Sequence, residues 1–204
     1  AKERGTKTIC IDPIKSATAH RCDQWICTTP GNDGLMALAM CNWLIQEDLV
    51  DHEFLANKST QSFLVRSDSK KLLRLSNYAE TGTVDPNTGE IGAGTSYIPA
   101  DSAGQTGQII EEQETEFFVW DLDLNRAVLL HEATNPAIEG TFVTENGVEV
   151  TTQYTLLKEH LKQYTFEWAE RVCGVPTETM KELALTFAQG GPVSTYITYG
   201  SDHY

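Results

Sequence analysis

Residues 9–39, ICIDPIKSATAHRCDQWICTTPGNDGLMALA, are the stretch on which the fold turns. KTICI at 7–11 is β-branched with polar flanks, as expected of a strand buried in a parallel sheet. QWICT at 24–28 is a second strand candidate. Between them Asp12-Pro13 forms a turn, followed by the hydroxyls of Ser16 and Thr18. A Pro30-Gly31-Asn32-Asp33 turn follows the second strand, and either Asn32 or Asp33 can cap a helix running to about Glu47. Leu35, Met36, Leu38, Ala39, Met40, Trp43 and Leu44 leave that helix little polar face, which predicts that it is sandwiched inside the protein.

Working outward, Asp51 caps a shorter helix, HEFLANKS, and 62–66 reads as a strand. The next 80 or so residues are rich in turns: Asp85-Pro-Asn-Thr-Gly-Glu, then Gly92, Gly94, Gly104 and Gly107. FFVWD (117–121) and 127–130 predict a β-hairpin; 140–143 and 148–152 flank Glu145-Asn146-Gly147, where Asn-Gly suits a type I′ turn. Helical pattern returns at Tyr154 with a stripe of Leu156, Leu157, His160 and Leu161. Thr165 caps a helix over 166–172 that Gly174 ends. Pro176 opens the next, with Met180, Leu183, Ala184 and Phe187 on one face. VSTYITY at 193–199 predicts a further strand ending at Gly200. The order is α/β: a Rossmann-like, mostly parallel sheet flanked by helices, with a β-rich, loop-rich insertion. The expected division is 1–66 as the first half of an α/β cofactor-binding domain, 67–150 as the insertion and 151–204 as a helical second half returning to a sheet strand.

With 204 residues the chain can bury a substantial core without a disulfide or metal. A net charge of −14 argues against nucleic acid or an anionic membrane as the main partner, though backbone amides can still bind a phosphate locally. The most apolar run, 35–44, is about half of the roughly 20 residues a membrane span needs, so no direct membrane insertion is expected. Ala1-Lys-Glu-Arg-Gly reads as a charged entry to a strand rather than a signal peptide, and its abrupt start suggests a piece of a longer protein. The five cysteines, Cys10, Cys22, Cys27, Cys41 and Cys173, read as buried free thiols without metal or redox roles; Cys22 and Cys27 are expected on opposite faces.

In an open parallel sheet, ligands bind beyond the carboxyl ends of the strands. Asp12, Ser16 and Thr18 lie at such an end. A carboxylate there accepts from ribose hydroxyls or guanine nitrogens, while hydroxyls and turn amides suit phosphate; the alternative is a plain Asp-Pro turn with Ser16 as a cap. Gly31 lets a ligand approach the backbone, and Asp33 can take the N1–H and exocyclic amine of guanine together, or simply cap its helix. Two such turns at one sheet edge keep a nucleotide site and a purely structural reading side by side. Neither GxGxxG nor GxxxxGK[ST] occurs, so this is not an ordinary NAD site or a P-loop. His20, His52, His131 and His160 are scattered and read as surface or core. Asp85-x-Asn87-x-Gly89 reads as a turn rather than a calcium loop, Asp121 and Asp123 as flanks of a hairpin turn, and Glu111, Glu112, Glu114 and Glu116 as a solvated charge run.

IDPIKSATAHRCDQWICTTPGNDGLMALAMCNWLIQEDLVDHEFL resembles the pattern of molybdopterin oxidoreductases of the dimethyl sulfoxide reductase family. That pattern has a strand ending in Asp-Pro, a Ser/Thr-x-Thr-Ala run, Ala-Asp, Pro-Gly-Thr-Asp and an alanine-rich helix, then Leu-x-Asp-x-x-Phe, matched by Leu49, Asp51 and Phe54. YTFEWAERVCGVPTETMKELALTFA is similar to the family's helix pair, and ITYGSDHY resembles the glycine-centred segment after it. FLVRSDSKK, FFVWD, AIEGTF and TTQYTLLKEH look, less specifically, like the insertion of its anaerobic reductases.

The resemblance implies a bis(molybdopterin guanine dinucleotide) carrying molybdenum or tungsten in the full-length protein, and not in the isolated fragment. Asp12, Pro13 and Ser16, with Gly31, Asn32 and Asp33, would line the site for one guanosine diphosphate arm; Tyr199, Gly200 and His203 match a segment that approaches the cofactor. Ile14 stands where Arg is common, Asn32 where Thr is common and His203 where Gln is frequent. No iron–sulfur cysteine cluster is present and the metal-ligating residue is expected upstream of Ala1, so no residue here is assigned a catalytic or metal-binding role, and an iron–sulfur cluster belongs elsewhere in the protein. The implied partners are a small-molecule substrate, the remainder of the catalytic subunit, and an iron–sulfur protein that carries electrons. The implied location is the cell envelope, periplasmic or on the outer face of the cytoplasmic membrane, with the cytoplasm as the alternative. Two rival functions stand beside an oxidoreductase performing two-electron reduction or oxygen-atom transfer: a non-catalytic nucleotide-binding or interaction module, and a non-redox hydratase using the same cofactor.

Overall fold

The computed structural model describes residues 3, 5–84, 91–93 and 116–197, of which 80–84 and 91–93 are described by backbone alone. The chain divides into two compact units, Ala1–Val50 with His160–Tyr204, and Asp51–Glu159.

In the first unit, β1 (Ile9–Ile11) and β2 (Gln24–Ile26) pair in parallel, with Cys10 opposite Trp25. Asp23 binds the two strands at their start: its carboxylate accepts from Thr8 N–H at 2.8 Å and from the Thr8 hydroxyl at 2.6 Å, and its own N–H donates to Thr8 O at 2.9 Å. A 3₁₀ turn, Ala19–Arg21, lies against both strands and buries Ala19. Helix α1 (Asp33–Gln46) buries Met36, Ala39 and Met40, residues one helical turn apart, against α5 (Phe166–Cys173) and α6 (Thr177–Gln189). Burial of Asn42 is compensated, because its amide donates to Tyr164 O at 2.9 Å and its oxygen accepts from Gln46 at 3.1 Å. Thr165 caps α5 by accepting from Trp168 N–H, and Gly174 ends it in a left-handed conformation, φ 74°.

The second unit opens with α2 (His52–Lys58), capped by Asp51 through Phe54 N–H at 2.9 Å. Strands β3 (Leu64–Arg66), β8 (Thr141–Val143) and β9 (Glu149–Thr152) form an antiparallel sheet in the order β3-β9-β8. Beside them are the short helix α3 (Leu75–Tyr78), the antiparallel pair β4 (Glu80–Val84) and β5 (Ile91–Ala93), and the hairpin β6 (Phe118–Asp121) and β7 (Arg126–Leu129). Helix α4 (Gln153–Leu161) follows β9. The core stacks Tyr78 on Phe118 with ring centroids 4.5 Å apart, and Trp120 on Phe142 at 4.4 Å. Two charges are buried and satisfied. Arg66 is fully buried, bidentate to Asp68 at 3.0 and 2.7 Å and bonded to Asn77 O at 2.7 Å. Asp121, also fully buried, accepts from the N–H groups of Asp123, Leu124, Thr134 and Asn135 and from the Thr134 hydroxyl.

The α/β class expected from the sequence is observed, but the parallel part is a single two-stranded pair and every other pairing among the described residues is antiparallel. Residues 193–197 are exposed and outside any strand, because nothing among the described residues pairs with them. Helix α1 is not sandwiched: Ala37 and Cys41 stay exposed, since α5 and α6 cover one side. The 144–148 turn is not type I′; only Gly147 has positive φ, 73°, and Gly147 N–H donates to Thr144 O, the pattern of a type I turn with a bulge. Along α4 the buried residues are Tyr154 and Leu161, while Leu156 and His160 face outward, and on α6 Phe187 is exposed. Strand β3 pairs with β9, so residues 62–66 lie within the second unit. Of the cysteines only Cys173 is fully buried; Cys10 and Cys22 are half-buried and Cys27 and Cys41 exposed. Glu116 is half-buried, with Oε2 3.5 Å from His131, while residues 111–115 and the turn at 85–90 lie outside the described residues.

Candidate functional site

Two turns lie at the carboxyl ends of β1 and β2. After β1 the chain is held down by Asp12 N–H, which donates to Ile26 O at 3.1 Å, and by the Trp25 indole, which donates to Asp12 O at 2.8 Å. One carboxylate oxygen of Asp12 accepts from Ile14 N–H at 2.9 Å, an Asx turn that Asp-Pro favours. The other oxygen accepts no hydrogen bond among the described residues. Pro13 is exposed, and its carbonyl receives the Cys27 thiol at 3.5 Å. Ser16 is half-buried; its oxygen accepts a long bond from Ala19 N–H, 3.4 Å, so its proton is available to a ligand. Lys15 lies over the Trp25 ring, 5.7 Å from its centroid.

After β2, Thr29 ties the second turn to the end of α5, its N–H and hydroxyl both reaching Cys173 O at 2.8 and 3.2 Å. Asn32 donates from its amide to Val172 O at 3.2 Å. Gly31 has φ 80°, where a side chain is strained, and the space in which a Cβ would stand is open.

Asn32 occupies the N-cap position but makes no capping bond with its side chain. Asp33, the first residue of α1, is half-buried and its carboxylate has no hydrogen bond or ion pair among the described residues. The N–H groups of Asp33 and Gly34 likewise find no acceptor there, leaving donors at the positive end of the helix dipole. The capping alternative for Asp33 is therefore not realised.

The structure thus brings Asp12, Pro13, Ser16, Gly31, Asn32 and Asp33 to the carboxyl ends of two adjacent parallel strands. Tyr199, Gly200 and His203 lie outside the described residues. Sequence reasoning missed Trp25, Thr29 and the carbonyls of Val172 and Cys173. An indole two residues after an acidic residue carries no signal, and a backbone carbonyl 140 residues away carries none either. Among the described residues, no group of three His, Cys, Asp or Glu side chains is placed to hold a metal ion, and no helix is long and apolar enough to cross a membrane.

No family model matches the chain. It is similar to a sulfite dehydrogenase polypeptide of Allochromatium vinosum, 26% identical over 189 residues that make up 90% of this chain and 17% of the relative. It is also similar to the alpha chain of the perchlorate reductase of Dechloromonas aromatica, 29% identical over 100% of this chain and 23% of the relative. The alpha chain of the respiratory nitrate reductase of Haloferax mediterranei is 27% identical over 91% of this chain and 18% of its own length. The chain spans about a fifth of the length of these curated relatives.

Proposed function

Because the chain is a relative of the catalytic subunits of molybdopterin oxidoreductases of the dimethyl sulfoxide reductase family, we propose that its first unit anchors one guanine dinucleotide arm of a bis(molybdopterin guanine dinucleotide). The observation that carries this reading is the Asp33 carboxylate, half-buried at the start of α1, unclaimed by its own helix and next to two unclaimed N–H groups. A bare helix N-terminus suits phosphate alone; a carboxylate already standing there disfavours a lone anion and favours a group offering two N–H donors beside its negative charge. Guanine linked to a diphosphate has both.

In this reading Asp33 accepts the N1–H and exocyclic amine of guanine, and the free oxygen of Asp12 accepts from a ribose hydroxyl. The Ser16 hydroxyl and the N–H groups of Asp33 and Gly34 donate to phosphate. Gly31 leaves the approach open, while Pro13 and Asn32 hold the two turns in shape. Tyr199, Gly200 and His203 remain proposed contacts by resemblance.

The group, when bound, supplies two-electron chemistry at molybdenum or tungsten, often oxygen-atom transfer; the residues here bind and orient it. We further propose that the second unit is an insertion within this cofactor-binding domain. The remaining proposals are that the chain works within a complete catalytic subunit beside an iron–sulfur electron-transfer partner, takes a small-molecule substrate and resides at the cell envelope.

The test is Asp33→Ala in the complete subunit. Losing two hydrogen bonds to a charged acceptor costs roughly 3 kcal/mol, on the order of a hundredfold weaker retention. Molybdenum per purified protein falls while circular dichroism is unchanged. Full metal occupancy in the variant refutes the assignment.

A further inference from the structure

A cavity of about 460 Å³ opens in the second unit, lined among the described residues by Lys71, Leu72, Arg74, Ser76 and Asn77. Residues 66–77 hold four cations, Arg66, Lys70, Lys71 and Arg74, against one carboxylate, Asp68, in a chain of net charge −14. That carboxylate is engaged by the buried Arg66 guanidinium at 3.0 and 2.7 Å. Glu116 is held nearby, its main-chain carbonyl accepting from Leu75 N–H, but its own carboxylate lies 3.5 Å from His131. Lys71 and Arg74 therefore line the cavity with no ion pair among the described residues.

The cavity wall is fixed by bonds that reach the core. Asn77 accepts from Arg74 N–H at 2.9 Å, donates from its amide to Leu72 O at 3.0 Å, and receives the buried Arg66 on its carbonyl at 2.7 Å. The Arg74 guanidinium carbon stands 4.8 Å from the centroid of the Phe117 ring, and Phe117 stacks on Phe63 with centroids 4.7 Å apart. Stacking occupies the face of a guanidinium and leaves its N–H edges to a ligand. Ser76 is exposed and adds a hydroxyl with no hydrogen bond among the described residues. The charged groups lining the space are both cations, so it suits a ligand rich in acceptors and negative charge.

We propose that this cavity binds a phosphate group, free or carried on a small organic molecule. The Arg74 fork donates to two phosphate oxygens, Lys71 supplies the second positive charge, and the Ser76 hydroxyl donates to a third oxygen. A carboxylate has one charge and two oxygens and leaves one cation unmatched, whereas a phosphate dianion matches both. The volume falls within the roughly 300–1,000 Å³ of small-molecule sites, which leaves room for an organic substituent beside Leu72. The site lies wholly in the second unit and does not depend on what the first unit binds.

Isothermal titration calorimetry of the full chain at low salt tests this, with inorganic phosphate and ribose 5-phosphate as separate titrants and ribose as the neutral control. One-to-one binding of a phosphate titrant is expected, with none of ribose, and it weakens as salt screens the cations. Inorganic phosphate binding as tightly as the ester assigns the free ion; tighter binding of the ester assigns the organic carrier. Arg74→Gln and Lys71→Gln should each weaken binding roughly tenfold or more. Arg74→Lys, which keeps the charge and loses the fork, should also bind more weakly, while Lys181→Gln on α6 should bind as the unsubstituted chain does. Lys71 is exposed, so Lys71→Gln decides the matter even where an Arg74 variant does not fold. No binding of either phosphate at millimolar concentration, equal binding of ribose, or an equal loss in Lys181→Gln overturns the proposal. So does binding that survives both cavity substitutions, as binding at the turns of the first unit would.

Discussion

Replacing Asp121 by Asn changes one atom in the hairpin β6–β7, yet it should destabilise the protein by about 3 kcal/mol. Oδ1 of Asp121 accepts from Asp123 N–H at 2.8 Å and Leu124 N–H at 3.0 Å. Oδ2 accepts from Thr134 N–H at 2.7 Å, the Thr134 hydroxyl at 3.1 Å and Asn135 N–H at 3.1 Å. An amide has one acceptor oxygen, so either orientation turns an NH2 toward at least two N–H donors. Each buried donor left without a partner costs about 1–3 kcal/mol.

A second route gives a similar figure. Burial opposes ionisation of Asp121, but the N–H groups of Leu124, Thr134, Asn135 and Asp123 outweigh it and hold the carboxyl at about 2, against an ordinary 3.8. Holding it there is worth about 2.5 kcal/mol of stability, at 1.36 kcal/mol per pH unit. Because the folded value is depressed, this stability is present above the ordinary carboxylate value and is lost as pH falls from about 4 toward 2. Urea unfolding of both proteins at neutral pH measures the loss, and repeating it down to acid pH should show the gap between them narrowing through that window. A loss below about 0.5 kcal/mol, within the range of surface substitutions, refutes the reasoning. So does a gap that stays constant in acid.

Asp68→Ala should cost about 3–5 kcal/mol, because it strands the fully buried Arg66 guanidinium without its carboxylate; an unfolding midpoint close to that of the unsubstituted protein would show that Arg66 finds another partner. Gly174→Ala forces a side chain into φ 74° at the end of α5, which should lower stability by about 1–2 kcal/mol. Thermal unfolding reads that loss. The same change shifts the carbonyls that hold Thr29 and Asn32, so molybdenum retention by the complete subunit should fall with it; retention at full level would detach the second turn from α5.

The local elements were legible because short-range rules decide them. Asp51 and Thr165 cap their helices, Gly174 ends α5, and FFVWD with its partner strand forms a hairpin, each through contacts within a few residues. Other features were not legible, for reasons that differ. Asp121 and Asp123 look alike on either side of a turn, but only Asp121 meets the 134–135 backbone returning over the hairpin, so it becomes a buried acceptor while Asp123 stays exposed. Residues 193–197 have strand-forming side chains, yet a strand exists only where another backbone pairs with it.

For residues 9–39, the sequence by itself determined that a strand, an acidic turn, a second strand and a glycine turn precede an apolar helix, and that nucleotide chemistry was possible there. Tertiary structure decided which polar groups are left over. Asn32 spends its amide on Val172, Thr29 closes on Cys173, and Asp33 is thereby left with an unclaimed carboxylate. Whether a polar group is free for a ligand depends on every neighbour that can satisfy it first, and those neighbours come from parts of the chain that only folding brings together.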